Sequence, residues 1–179
     1  MMCMFGSDFD TDPQLPWAEG VLKNDAITDQ MERADALFDK MTEYEEQVSG
    51  PEKEYYLKAL ERLSKAGLEN YNLAAGSFDA EVVMALQSIY PQKCEHLGKD
   101  GLESLIAKGK AVAAEYSVTS KRGVALFIAI AFTIGHGFTK DPFFPWISKT
   151  LAEEGLQPSE KAERVLAKMK LYLDEVLKS

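Results

Sequence analysis

Apolar residues recur at three- and four-residue spacing along almost the whole chain, and no stretch alternates strictly between apolar and polar. From Ile27 the apolar positions run Met31, Ala34, Leu37/Phe38, Met41, Tyr44 and Val48, with acids on the other faces, which predicts a long amphipathic helix. Ser49-Gly50-Pro51 stops it, and the proline suits the first turn of a second helix whose face carries Tyr56, Leu60 and Leu63. Gly67 marks a kink or an end there. Ser77, with Asp79 and Glu81 behind it, opens a third helix through Val82, Val83, Leu86 and Ile89 to Pro91. Residues 91–99 read as a loop. Asp100 and Glu103 have the spacing of a capping box, and Leu102, Leu105/Ile106, Val112/Ala113 and Tyr116 follow. A last helix begins at Gln157-Pro158-Ser159-Glu160 and carries Ala162, Val165/Leu166, Met169, Tyr172/Leu173 and Val176.

Val124 to Phe132, extended by Thr133-Ile134, is apolar on every side. A membrane span needs about 20 such residues, and Gly135-His136-Gly137 interrupts this run first. The run therefore predicts the buried central helix of a bundle, with the glycines free to take positive φ at its end. Together these elements predict an all-α, single-domain helical bundle of about eight helices spanning residues 1–179.

One phrase is written twice. Phe9-Asp10-Thr11-Asp12-Pro13-Gln14-Leu15-Pro16-Trp17 returns as Phe138-Thr139-Lys140-Asp141-Pro142-Phe143-Phe144-Pro145-Trp146, both of the form F-x-x-D-P-x-x-P-W. After a one-residue shift the agreement resumes through Lys40-Met41 and Tyr44 against Lys168-Met169 and Tyr172, so copy one covers about residues 5–44 and copy two about 134–172. Residues before proline avoid the helical region, and Pro16 and Pro145 suit the first position of a short helix. Asp12 and Asp141 are placed to accept bonds from the free amides of that turn. Each copy is thus a stiff turn-helix corner. Its aromatic residues either wedge the corner against neighbouring helices or present it as a binding surface made of Phe9, Asp12, Trp17, Phe138, Phe143, Phe144 and Trp146. Copy one has Gln14 and Leu15 where copy two has Phe143 and Phe144, so the corners differ in apolar character. The repeat permits a monomer with internal symmetry as readily as a homo-oligomer.

Charge narrows the partners. The net charge is -9, and residues 1–54 hold 14 of the 29 acidic residues but only 4 of the 20 basic ones. Such a face disfavours nucleic acid and anionic lipid and suits a basic protein surface or simple solubility. Two cysteines, Cys3 and Cys94, form no metal-ligand spacing, and the acidic start lacks the basic and apolar regions of a signal peptide, so the expected compartment is the cytoplasm.

Candidate chemistry is sparse. His136, five residues before Asp141, is the one arrangement resembling an acid-base pair; a histidine closing a buried helix also suits the helix C-terminus electrostatically. His96 has no second His/Cys group beside it, and Asp8-Asp10-Asp12 lacks the glycine and glutamate of a calcium loop. No metal or other cofactor is expected. The sequence therefore predicts a non-enzymatic interaction protein (an adaptor, accessory factor or inhibitor) acting on another protein through the acidic N-terminal face and the aromatic corners. Its alternatives are an enzyme with a small-molecule site near His136 and Asp141, and an acidic immunity-type protein that binds a basic toxin.

Overall fold

The computed structural model describes Gly6, residues 8–66 and residues 77–178. Among these residues there are eight α-helices and no strand: α1 (Pro16–Leu22), α2 (Gln30–Ser49), α3 (Glu54–Ala66), α4 (Phe78–Ile89), α5 (Pro91–Glu115), α6 (Lys121–Ile134), α7 (Pro145–Leu151) and α8 (Pro158–Val176). The protein is an all-α helical bundle. Gly67 and Cys3 lie outside the described residues.

Local sequence explains the helix starts. Asp29 caps α2 by accepting from Met31 N at 2.8 Å and Glu32 N at 3.0 Å, Ser120 caps α6 through Gly123 N, and Gln157 and Glu160 close a capping box on α8. α6 is the central helix that its composition predicts, since every residue from Leu126 to Phe132 is buried. Helix α5 packs across it so closely that a Cβ on Gly109 would stand 2.6 Å from Ile128 Cγ1 and 2.9 Å from Ile128 Cα. Around this pair stand α2 against α5, α8 against α6, and α3 against α2, α4 and α8.

One expectation is corrected. Residues 91–99 are not a loop but the start of α5. Pro91 stands at the first helical position, where its missing N–H costs nothing, and the only break is at Gly98, with φ 61° and ψ -173°. Lys93 and Cys94 both face inward, so the segment is amphipathic once the lysine is counted on the buried side. The apolar stripe of α2 is also covered only in part: Tyr44 and Val48 are buried, whereas Met31 is 70% and Phe38 62% exposed.

The two corners have the same backbone. Asp12 Oδ1 accepts from Gln14 N at 2.9 Å, and Asp141 Oδ1 from Phe143 N at 2.8 Å. Asp12 O accepts from Leu15 N at 2.9 Å and Asp141 O from Phe144 N at 3.1 Å. The residues preceding the helices, Leu15 (φ -130°, ψ 53°) and Phe144 (φ -121°, ψ 52°), share one conformation. The seven-residue helices that follow close on equivalent carbonyls, Lys23 N on Glu19 O and Ala152 N on Ser148 O. The aspartate capping read from the repeat is thus present in both copies.

Each aspartate also reaches the chain leading into the other copy. Asp12 Oδ2 accepts from His136 N at 3.0 Å. A Cβ on Gly6 would stand 2.7 Å from Asp141 Oδ2, so Gly6 lies directly against that carboxylate. Gly6 and Gly135 are equivalent repeat positions, and both have positive φ, 77° and 99°, which explains why both are glycine.

Removing either carboxylate strands buried amides. Asp12→Ala and Asp141→Ala should each lower unfolding free energy by about 2–4 kcal/mol at pH 7, measured by urea melts. Hydrogen bonds hold the Asp12 carboxyl below its ordinary value, so its contribution is present above about pH 4 and is lost as pH falls through the lower folded value. The gap between wild type and Asp12→Ala should therefore shrink at pH 3; a gap that stayed constant would contradict this.

Candidate functional site

A cavity of about 450 Å³ lies between the two repeat copies. Its wall contains seven pairs of repeat-equivalent positions: Gly6 and Gly135, Asp12 and Asp141, Gln14 and Phe143, Leu15 and Phe144, Tyr44 and Tyr172, Glu45 and Leu173, Val48 and Val176. Between them stand Leu60 and Leu63 of α3, Ile89 and Tyr90 at the end of α4, Lys93 of α5 and Phe132 of α6. Exposed Lys53, Tyr56, Phe143 and Tyr172 mark the mouth.

The copies contribute different chemistry to equivalent places. Gln14 and Glu45 of copy one stand opposite Phe143 and Leu173 of copy two. Copy two adds apolar surface there, with Phe144 edge-on to Tyr172 at 5.5 Å.

Asp12, Gln14 and Lys93 meet at the end of α6. Gln14 Nε2 donates to Ala131 O at 2.9 Å and to Asp12 Oδ2 at 3.3 Å. Lys93 Nζ donates to the next carbonyl, Phe132 O, and lies over the Phe132 ring at 4.9 Å from its centre. The negative end of the helix dipole favours a cation here, but no carboxylate of the described residues lies within ion-pairing distance of Lys93. Burial pushes the Lys93 ammonium down to about 8, with Asp12 pulling in the opposite direction. Burial also raises Tyr44, and raises Tyr90 to about 12, while Tyr90 Oη donates to Val48 O at 2.9 Å. Burial would raise Asp12, but hydrogen bonds from His136 and Gln14 outweigh it and keep the carboxyl low.

The residues singled out by the sequence divide between cavity and scaffold. Asp12, Asp141, Phe143 and Phe144 line the cavity. Phe9, Trp17 and Trp146 are half-buried against the core, with Trp17 tilted on Tyr44 at 6.3 Å, and Phe138 is buried edge-on to Phe127 at 5.6 Å. Only Phe143, 52% exposed, is largely open to solvent among the corner aromatics. His136 meets Asp12 of the other copy, its Nδ1 standing 3.2 Å from Asp12 Oδ2 and its Nε2 3.4 Å from Thr11 Oγ1. The order alcohol, imidazole, carboxylate is that of an acyl-transfer site. Yet Thr11 Oγ1 donates to Asp8 O, and neither Thr11 nor His136 lines the cavity.

Lys93 and Tyr90 escaped the sequence reading because residues 91–99 lacked a recognised helical stripe. Gln14 was visible only as the position at which the corners differ. His96 is on α5, with Nδ1 2.9 Å from Gln47 Oε1. Among the described residues no group of three His, Cys, Asp or Glu side chains is placed to hold a metal ion, and no helix is long and apolar enough to cross a membrane. Comparison of the chain with protein-family models, curated proteins and solved structures gave no match.

The buried ammonium gives a pH signature. Because Lys93 titrates lower in the folded state, its charge opposes folding below about pH 8, by about 3 kcal/mol, and the penalty fades as pH rises to 10.5. Wild-type stability relative to Lys93→Met should therefore rise between pH 8 and 10.5. The tyrosines are common to both proteins, and because Cys94, which burial raises to about 11, is pulled down by Lys93, both proteins carry Cys94→Ser. Urea melts across that range check it, and a flat difference would contradict it.

Proposed function

We propose that the protein binds a small amphipathic molecule in the cavity between its repeat copies. The observation that carries this reading is the cavity itself. Its volume of about 450 Å³ lies within the range of ligand sites, about 300–1,000 Å³, and Asp12, Gln14 and Lys93 meet at the end of α6 in its wall. Tight cores leave few voids larger than a water molecule. A space of this size between two rigidly locked corners suits a guest. It also lies beside Asp141 and so accommodates the small-molecule reading of that region, with Lys93 in place of His136 as the polar contact.

A screen of amphipathic compounds by thermal shift tests the reading. A compound present at about 100 times its Kd should add about 2.7 kcal/mol of stability. Leu63→Trp, which fills the cavity from α3, should abolish that gain. A library without any stabilising compound, or a gain unchanged by Leu63→Trp, would contradict the proposal.

A second reading, the docking of another protein on the acidic N-terminal face, is favoured by a difference between the copies. Ala162 and Leu166 of α8 are buried, whereas the equivalent Ala34 and Phe38 of α2 are exposed. Phe38 and Met31 lie among Glu32, Asp35 and Asp39, so the complementary partner is a basic amphipathic surface, an adaptor's target or a toxin. Phe38→Ser should leave stability within about 0.5 kcal/mol and abolish capture of a salt-sensitive partner from cell lysate. Capture unaffected by Phe38→Ser together with Met31→Ser would exclude this face.

A further inference from the structure

The repeat runs on into the long helix of each copy. At a spacing of 128 residues, Glu32-Arg33-Ala34-Asp35 of α2 matches Glu160-Lys161-Ala162-Glu163 of α8. The structure keeps that register. Arg33 donates to Leu22 O at 2.7 Å and Lys161 to Leu151 O at 2.8 Å, each acceptor being the last residue of the short helix before it.

In copy two this face is covered by α6, and the covering helix has a recognisable pattern. Arg122 pairs with Glu163 Oε2 at 3.2 Å. At the next position Gly123 lies against Ala162, where a Cβ on the glycine would stand 3.6 Å from Ala162 Cβ. Leu126, Ala129 and Ile130 then meet Leu166 and Met169 around one narrow gap. A basic residue, a small residue and an aliphatic one three positions later therefore hold α6 on α8.

The equivalent positions of α2 are open. Ala34, Asp35 and Phe38 are exposed, and Asp35 takes part in no ion pair among the described residues. Exposed Glu32 and Asp39 flank them, so the face selects a basic partner. A second copy of this chain meeting α2 with its own α2 would set these acids against like charges, which such an interface disfavours.

We propose that the exposed face of α2 takes a helix of another protein in the way that α8 takes α6. The partner helix carries an arginine or lysine for Asp35, a glycine or alanine next to it for Ala34, and an aliphatic residue three positions further on for Phe38. This is recognition of a helix by its spaced anchors. The inference rests on the second reading above and adds the partner's secondary structure, sequence pattern and register.

The probe is a fluorescein-labelled peptide over positions 119–134 that keeps Ser120, Arg122, Gly123, Leu126, Ala129 and Ile130 in place and has alanine, glutamine or lysine elsewhere. It is titrated with the whole protein by fluorescence anisotropy. Replacing the peptide's glycine by leucine should weaken binding at least about 10-fold, as should Ala34→Leu in the protein, because each overfills the close approach of the helices. Wild type should prefer the arginine peptide to one with glutamate in its place, and Asp35→Arg should reverse that order. Both substituted positions of the protein are exposed, and circular dichroism checks that the variants stay folded. Failure of the peptide to bind wild type at about 1 mM, a Kd worth only about 4.1 kcal/mol, would overturn the inference. Equal binding of the glycine and leucine peptides, or an order that Asp35→Arg leaves unchanged, would overturn it as well. In each of these cases lysate capture with Phe38→Ser decides the second reading separately.

Discussion

The fold depends on a buried carboxylate. Asp12 is 3% exposed, and a charge in such a place is tolerable only when several donors surround it. Two come from its own turn, the Gln14 amide N–H and side chain, and a third is the backbone N–H of His136, 124 residues away in sequence, whose ring Nδ1 stands 3.2 Å from the same oxygen. Satisfying this one group therefore brings the N-terminal corner to the end of the central helix. The same meeting places Gln14 beneath the last turn of α6, where it shares Ala131 O with the Gly135 amide and Lys93 takes Phe132 O. Closure of the fold and the polar part of the cavity wall follow from one electrostatic requirement.

Duplication supplies the rest of the geometry. Two corners with the same turn, the same short helix and reciprocal contacts to each other's approach segments face each other across the cavity, so its wall is made of paired positions. The paired positions depart from the repeat at a few places, Gln14 against Phe143 and Glu45 against Leu173, and Lys93 from α5 adds a cation. The repeat provides the shape, and its departures provide the chemistry.

Much of this could be read from the chain. The helical periodicity identifies the class of fold, the uniformly apolar segment identifies the buried helix, and the prolines and aspartates of the repeated phrase identify a capped turn. Lys93 was hidden by its own chemistry, because a pattern that counts lysine as a surface residue removes the inward face from the first two turns of α5. The partial coverage of α2 was hidden because Met31 and Phe38 continue a regular apolar stripe, and periodicity says which face is apolar without saying whether a neighbour covers it. The cavity required knowing that positions 128 and 129 residues apart face each other. The sequence displays the equivalence of those positions but not their opposition.

The central claim, that the two corners are locked by buried aspartates reaching across the copies, is tested most directly by amide hydrogen exchange at His136, with Gln14 and Phe143 as companions. All three amides donate to aspartate oxygens and to no helical carbonyl. The account predicts that they exchange only through global unfolding, with protection matching that of α6, and that Asp12→Asn lowers protection at His136 and Gln14 while leaving Phe143 unchanged. Exchange of His136 near the rate of an unstructured chain, with α6 still fully protected, would contradict it.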